Sequence, residues 1–118
     1  MRLVESREEA LEEVTHEEAV DCRIQWMLVE SEGAPSFALR RFVLGPGGST
    51  PRHTHPWEHE VFVLAGRATV CAQGGEHELA PGMAVLVAPG EEHQFYCGPD
   101  EGVEFLCLVP NGPATEGH

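Results

Sequence analysis

Of seven histidines in this 118-residue chain, four stand where their spacing carries chemistry: His53, His55 and His59 in HTHPWEHE, and His93 in PGEEHQF. On extended chain, residues two apart project from one face with backbones about 7 Å apart. His53 and His55 therefore converge, and His59 lies a further even offset along, with Pro56 between as a strand breaker. Three imidazoles aimed one way can hold one cation, although the spacing also fits a hydrogen-bonded histidine cluster without an ion. Glu58 is the carboxylate that could approach the same side if the chain stayed extended, while Glu60 points away. Thiolate-free imidazole ligation suits Zn, Cu, Fe, Ni or Mn, with geometry and availability deciding among them.

The elements that must position these rings read as strands. From Cys22 onward, short apolar or alternating runs near 22–29, 36–44, 60–65, 67–72, 76–79, 84–88, 93–97 and 103–109 are divided by Gly and Pro turn signals such as GPGG at 45–48. Eight short strands with no helical stretch between them predict an all-β fold, an antiparallel sandwich or small barrel. Ahead of it, residues 1–21 form an acidic segment. A capping-box pattern at Ser6–Glu9 with Ala10, Leu11 and Val14 at helical spacing fits a short helix over 6–14; an acidic arm ordered against a partner subunit fits equally. The expected organisation is arm or helix 1–21, barrel 22–110 and a frayed, flexible tail 111–118.

Composition narrows the chemistry. The chain has seven arginines and no lysine against 20 acids, a net charge of −13, which excludes Schiff-base and P-loop lysine chemistry and argues against nucleic acid or anionic membrane as partners. No aliphatic or aromatic run exceeds five residues, and MRLVESREEA lacks the apolar stretch of a secretory signal, so a cytoplasmic protein is expected. Cys22, Cys71, Cys97 and Cys107 have no CxxC spacing and read as reduced, buried thiols; the four serines lack a GxSxG elbow.

Taken together, Gly47-x5-His53-x-His55-x3-His59-x6-Gly66 and Gly82-x7-Gly90-x2-His93 resemble the two motifs of the cupins, specifically a small single-domain cupin of the four-histidine metal-binding subgroup. The resemblance spans about 37 to 110. It implies a cupin-type jelly-roll barrel holding one divalent transition metal per chain on His53, His55, His59 and His93, with Mn or Fe foremost and Ni, Cu or Zn as alternatives. It also implies a homodimer. The chain departs from the usual pattern at His59, where a glutamate ligand is common, at Ala88 in place of proline and at Cys97 in place of asparagine. Six-coordination with four histidines leaves two positions for a bidentate small-molecule substrate, or for substrate plus dioxygen.

Around that centre, Phe95 shares the face of His93, and Phe105, Cys107 and Val109 share one face of the last strand. By resemblance the Phe105–Cys107 face looks at the metal. Of the consecutive Arg40 and Arg41 one must point inward; comparison with similar cupins selects Arg40, for which a substrate carboxylate is one candidate partner. Trp57 would gate the mouth or pack on a second subunit, and Trp26 reads as core or dimer contact. His16 and His77, among glutamates, and terminal His118 are set aside as exposed. No side-chain general base stands out and no catalytic residue is assigned. The expected function is an oxygen-using, dioxygenase-like oxidoreductase of a small organic molecule; the alternative is a cupin module that binds or senses a small ligand or metal without turnover.

Overall fold

Alternation decides which side chains enter the interior. In the computed structural model, which describes residues 1–118, nine strands form: β1 Glu12–Glu13, β2 Val20–Leu28, β3 Phe37–Ser49, β4 His59–Gly66, β5 Ala68–Ala72, β6 Gly75–Leu79, β7 Ala84–Val87, β8 His93–Tyr96 and β9 Val103–Pro110. They make one strongly curled antiparallel sheet in the order β6-β5-β8-β3-β9-β4-β7, with β2 also paired to β3 and β1 to β2. This is the jelly-roll barrel expected. Even positions of β3 and odd positions of β4 and β9 face inward, so cross-strand rungs carry Trp26, Arg40, Cys107 and Val61, and then Ile24, Phe42, Phe105 and Val63. Thirteen buried residues, among them Leu44, Val61, Val63, Phe95, Phe105 and Cys107, close the core.

All eight expected strands are present, with two differences at the ends. The β3 strand continues through GPGG to Ser49, because Val20 and Tyr96 both pair with Ser49 across the bend. Asp21, at φ 41°, bulges out of β2 opposite that bend. Gly66, at φ +79°, ends β4 where the carbonyl of Gly102 approaches so closely that a Cβ would have no room.

The two ends of the chain differ from expectation more. No helix forms over 6–14. Those residues make a turn, and Glu12–Glu13 pair with Arg23–Ile24 of the chain's own β2; the Gln25 side-chain amide donates to the Ser6 and Glu9 carbonyls at 2.7 and 2.9 Å. The segment is an arm that packs on its own barrel. The tail likewise does not fray: Pro113–Thr115 form a 3-10 turn, Thr115 is buried, and the His118 ring stacks on Trp26 at 3.7 Å. No helix is long and apolar enough to cross a membrane.

Candidate metal centre

His53 and His55 do not lie on a strand. They sit on the connection from β3 to β4, which is stapled to β8 by main-chain bonds. His53 and His93 exchange both backbone hydrogen bonds (3.2 and 3.1 Å), Thr50 N–H donates to the Phe95 carbonyl at 2.8 Å, and Gly90 N–H donates to the His55 carbonyl at 2.8 Å. Thr50 Oγ1 in turn accepts from Phe95 N–H at 3.0 Å. The staple makes an irregular segment as fixed as a strand, and it brings the two histidine motifs face to face. His59 opens β4, and His93 opens β8.

Donor nitrogens of His53, His55 and His93 all lie within 4.8 Å of one another, and His59 joins them through His93, Nε2 to Nε2 at 3.0 Å. Neighbouring rings meet edge to face, His55 with His59 at 4.9 Å and His59 with His93 at 4.7 Å. Two of the rings are tied to backbone carbonyls through their outer nitrogens. His55 Nδ1–H donates to the Trp57 carbonyl and His93 Nδ1–H to the Glu91 carbonyl, each at 2.7 Å. A carbonyl only accepts, so both rings carry the proton on Nδ1 and aim a lone pair inward from Nε2. Such anchoring is how protein metal sites fix their imidazoles.

The residues fit a cation. Two ligands at right angles on bonds of about 2.1 Å stand about 3 Å apart, the spacing of the His59 and His93 nitrogens. His59 differs in its anchor: its Nδ1 lies 3.2 Å from the sulfur of Cys107. With His93 Nε2 a lone-pair acceptor, His59 Nε2–H donates to it and the thiol donates to His59 Nδ1; if His59 held a cation through Nε2, its ring proton would sit on Nδ1 and face the sulfur. Desolvation by burial, reinforced by the neighbouring imidazoles, pushes His53 down to about 4 and His59 to about 3. Burial also lowers His93, opposed by the Glu91 carbonyl. At neutral pH these rings are therefore uncharged, as ligands must be.

The cluster forms the floor of a cavity of about 440 Å³, lined by Val14, His16, Ile24, Arg40, Phe42, Thr50, Pro51, Thr54, Trp57, Phe95, Phe105, Cys107 and Ala114 besides the four histidines. Every pocket residue expected from sequence lines it. Trp57 stacks on His55 with centroids 4.6 Å apart, a more specific place than a gate at the mouth. Arg40 is the inward arginine; Arg41 points outward and pairs with Glu104 at 3.1 Å. Glu58 does not reach the cavity: it lies with Glu60 along a separate outer cleft, because the loop turns it away.

Sequence reading missed Val14, His16 and Ala114, which come from the arm and the tail. Local spacing holds no sign of how the two ends fold back. His16 is exposed at the rim and accepts from the Glu18 amide through Nδ1 at 3.0 Å. Phe42 was legible in principle, since it shares the parity of Arg40.

Arg40 has an unusual environment. Five of the seven arginines pair with acids of the chain, namely Arg2, Arg7, Arg41, Arg52 and Arg67; Arg23 and Arg40 do not, and of these two Arg40 lines the cavity. Its Nη2 donates to Cys107 Sγ at 3.0 Å, its Nε is buried with no partner, and its guanidinium lies over Trp26 and Phe42, about 5 Å from each centroid (5.3 and 5.2 Å). Each cation–π contact contributes about 0.5–2 kcal/mol, against several kcal/mol for desolvating an ion. The charge is left undercompensated by the protein. Cys107, almost fully buried, has its thiol pushed up by desolvation and pulled back by Arg40.

A curled jelly roll with histidines from two facing motifs converging inside it defines a β-barrel protein with an interior metal-type site. The cupin domain family matches residues 40–109, and the chain belongs to that family. It is 34% identical to the polyketide cyclase RemF from Streptomyces resistomycificus, whose structure superposes with a TM-score of 0.90 over 95% of this chain and 80% of that one. A cupin-2 domain protein of Rhodospirillum rubrum is 26% identical, with a TM-score of 0.81 over 88% of this chain and 70% of that one. A 1-methylthio-D-xylulose 5-phosphate methylsulfurylase of Rhodospirillum rubrum is 35% identical over 71 residues, 60% of this chain and 46% of that protein. The chain thus spans less than half the length of that curated relative.

Proposed function

We propose that this chain is a metal-dependent enzyme, working as a homodimer, that acts on a small oxygen-rich organic molecule. The observation that supports it most is the convergence of His53, His55, His59 and His93, three of them with Nδ1 tied down, on the floor of a largely apolar cavity. These four residues would hold one divalent ion, which when bound supplies Lewis acidity toward substrate oxygens. Manganese or iron heads the list, with nickel, copper and zinc as alternatives. The chain's own part is to orient and to exclude water: Phe42, Phe95 and Phe105 wall the cavity, and Trp57 packs over His55.

Redox-neutral activation of a carbonyl or enol, of the kind a polyketide cyclase performs, is the leading reading. It is supported by 34% identity over nearly the whole chain to a protein of that name. An oxygen-using, dioxygenase-like oxidation is the second reading, favoured by the absence of any carboxylate from the cavity lining. Either reading needs the metal.

Protein reconstituted separately with Mn, Fe, Ni, Cu and Zn, then given linear poly-β-ketones, diketones and catechols in air and under argon, separates the possibilities. Turnover under argon supports the first reading. Turnover only in air with oxygen uptake supports the second. Tight binding without turnover on any metal would leave a ligand-binding module instead. Metal content should be near one ion per chain and fall sharply in His55→Ala and His93→Ala; unchanged stoichiometry would reject the ligand set.

A further inference from the structure

We infer that the cavity has a second, anion-binding subsite at Arg40, and that the ligand is a flat conjugated acid with an oxygen pair at the histidine end and a carboxylate at the arginine end. This deepens the function proposed above and rests on it for the oxygen pair alone; the arginine subsite stands without the metal.

Three independent features point to it. Arg40 is a cavity-lining guanidinium that no acid of the chain pairs with, carrying a buried Nε with no hydrogen-bond acceptor. A planar guanidinium whose charge no acid of the chain offsets matches a carboxylate. The cavity lining contains no Asp or Glu at all, in a chain with 20 acids, so nothing inside competes for that guanidinium. Finally, the wall between the two ends is aromatic. Arg40 lies over Phe42; Phe42 stacks on Phe105 at 5.3 Å; Phe105 meets Phe95 at 5.1 Å; Phe95 meets His93 at 6.4 Å. A flat π-surface prefers such a wall. The two ends are close, since only the sulfur of Cys107 separates Arg40 Nη2 from His59 Nδ1. That short span suits a single-ring acid.

The test uses 3,4-dihydroxybenzoate and its neutral carboxamide, titrated calorimetrically into metal-free and Zn-loaded protein, wild type and Arg40→Met. The acid should bind wild type at least about tenfold more tightly than the amide, in both metal states, because the carboxylate interaction belongs to Arg40. In Arg40→Met the acid should fall to the level of the amide while the amide is unchanged. Equal binding of acid and amide by wild type would overturn the subsite. So would an acid preference that survives Arg40→Met, which would put the carboxylate elsewhere. Failure to take up zinc, with the Arg40-dependent preference intact, would reject the metal reading and leave this one standing. If Arg40→Met does not fold by circular dichroism, the wild-type comparison and Arg40→Lys decide: Lys keeps the charge without the fork and should retain only part of the preference.

Discussion

Cys107 is the residue on which two sides of the site meet. Its sulfur accepts from Arg40 Nη2 and is the only contact of His59 Nδ1, whereas His55 and His93 are anchored by carbonyls that no substitution removes. Outer-shell partners of ligating histidines are worth roughly 10–100-fold in metal affinity. Cys107→Ala should therefore weaken zinc binding about tenfold or more by competitive chelation, with Cys107→Ser, which keeps a hydrogen-bonding atom, in between. Equal affinity across the three would show that His59 needs no anchor. The buried imidazoles also set a pH dependence. Unfolded histidine titrates near 6.5, while folded His53 and His59 are pushed to about 4 and about 3. Between those values the unfolded chain takes up protons that the folded chain refuses, so this part of the stability is complete above about pH 6.5 and is lost as pH falls toward 3–4. Thermal unfolding of metal-free protein should give a melting temperature that drops from pH 7 to pH 5, more steeply than in His59→Gln. A flat profile would contradict a buried, neutral cluster.

At the level of elements, the connection from β3 to β4 is the part whose order is least expected and most consequential, because it carries His53 and His55 without being a strand. Thr50 is its hinge to β8: buried, it accepts Phe95 N–H through Oγ1 and donates its own amide to the Phe95 carbonyl, while Gln94 Nε2 donates to the Thr50 carbonyl at 2.9 Å. Thr50→Val keeps the shape and orphans a buried N–H, a cost of about 1–3 kcal/mol. The melting temperature should fall by several degrees and metal affinity should fall with it, both largely restored by Thr50→Ser; an unchanged metal affinity would mean the main-chain bonds hold the loop without the Thr50 hydroxyl. This connection also shows where sequence reading stops. Strands β2 to β9 were legible because period-two alternation and Gly/Pro punctuation are local signals; alternation required one of Arg40 and Arg41 to face inward and put Phe105 with Cys107, while the resemblance to similar cupins chose Arg40 and the Phe105–Cys107 face, and these residues line the cavity. Glu58 was misjudged because its direction depends on the loop rather than on alternation. Val14, His16 and Ala114 reach the cavity through packing of chain ends on the barrel, a long-range event that no nearby residue encodes.

For the whole molecule, the charge of −13 and the interior chemistry are segregated. Ten of the 20 acids lie in the first 32 residues, none lines the cavity, and the cavity instead holds an unpaired guanidinium beside the histidine cluster. The outer face of β3, β9, β4 and β7 is the exception to the acidic exterior. Register stacks Leu39, Leu108, Glu60 and Leu86 in one row and Arg41, Leu106, Phe62 and Ala84 in the next. Leu86 is 61% exposed, Phe37 55%, and Phe62 and Leu64 42% each. Glu104 on this face is neutralised by Arg41, which leaves Glu60 as its one uncompensated charge among these rows. Scattered exposed apolar residues need no explanation, but a contiguous sheet face does, and in the homodimer proposed above a second copy of the same chain would meet it with matching apolar rows. A two-fold pairing would place each protomer's face on its twin. Sedimentation should therefore give a dimer at micromolar concentration, and Leu86→Glu, which sets a like charge beside Glu60 on both copies, should shift it to monomer with metal content retained, since Leu86 points away from the cavity. A wild-type monomer, or a variant that still dimerises fully, would locate association elsewhere or remove it.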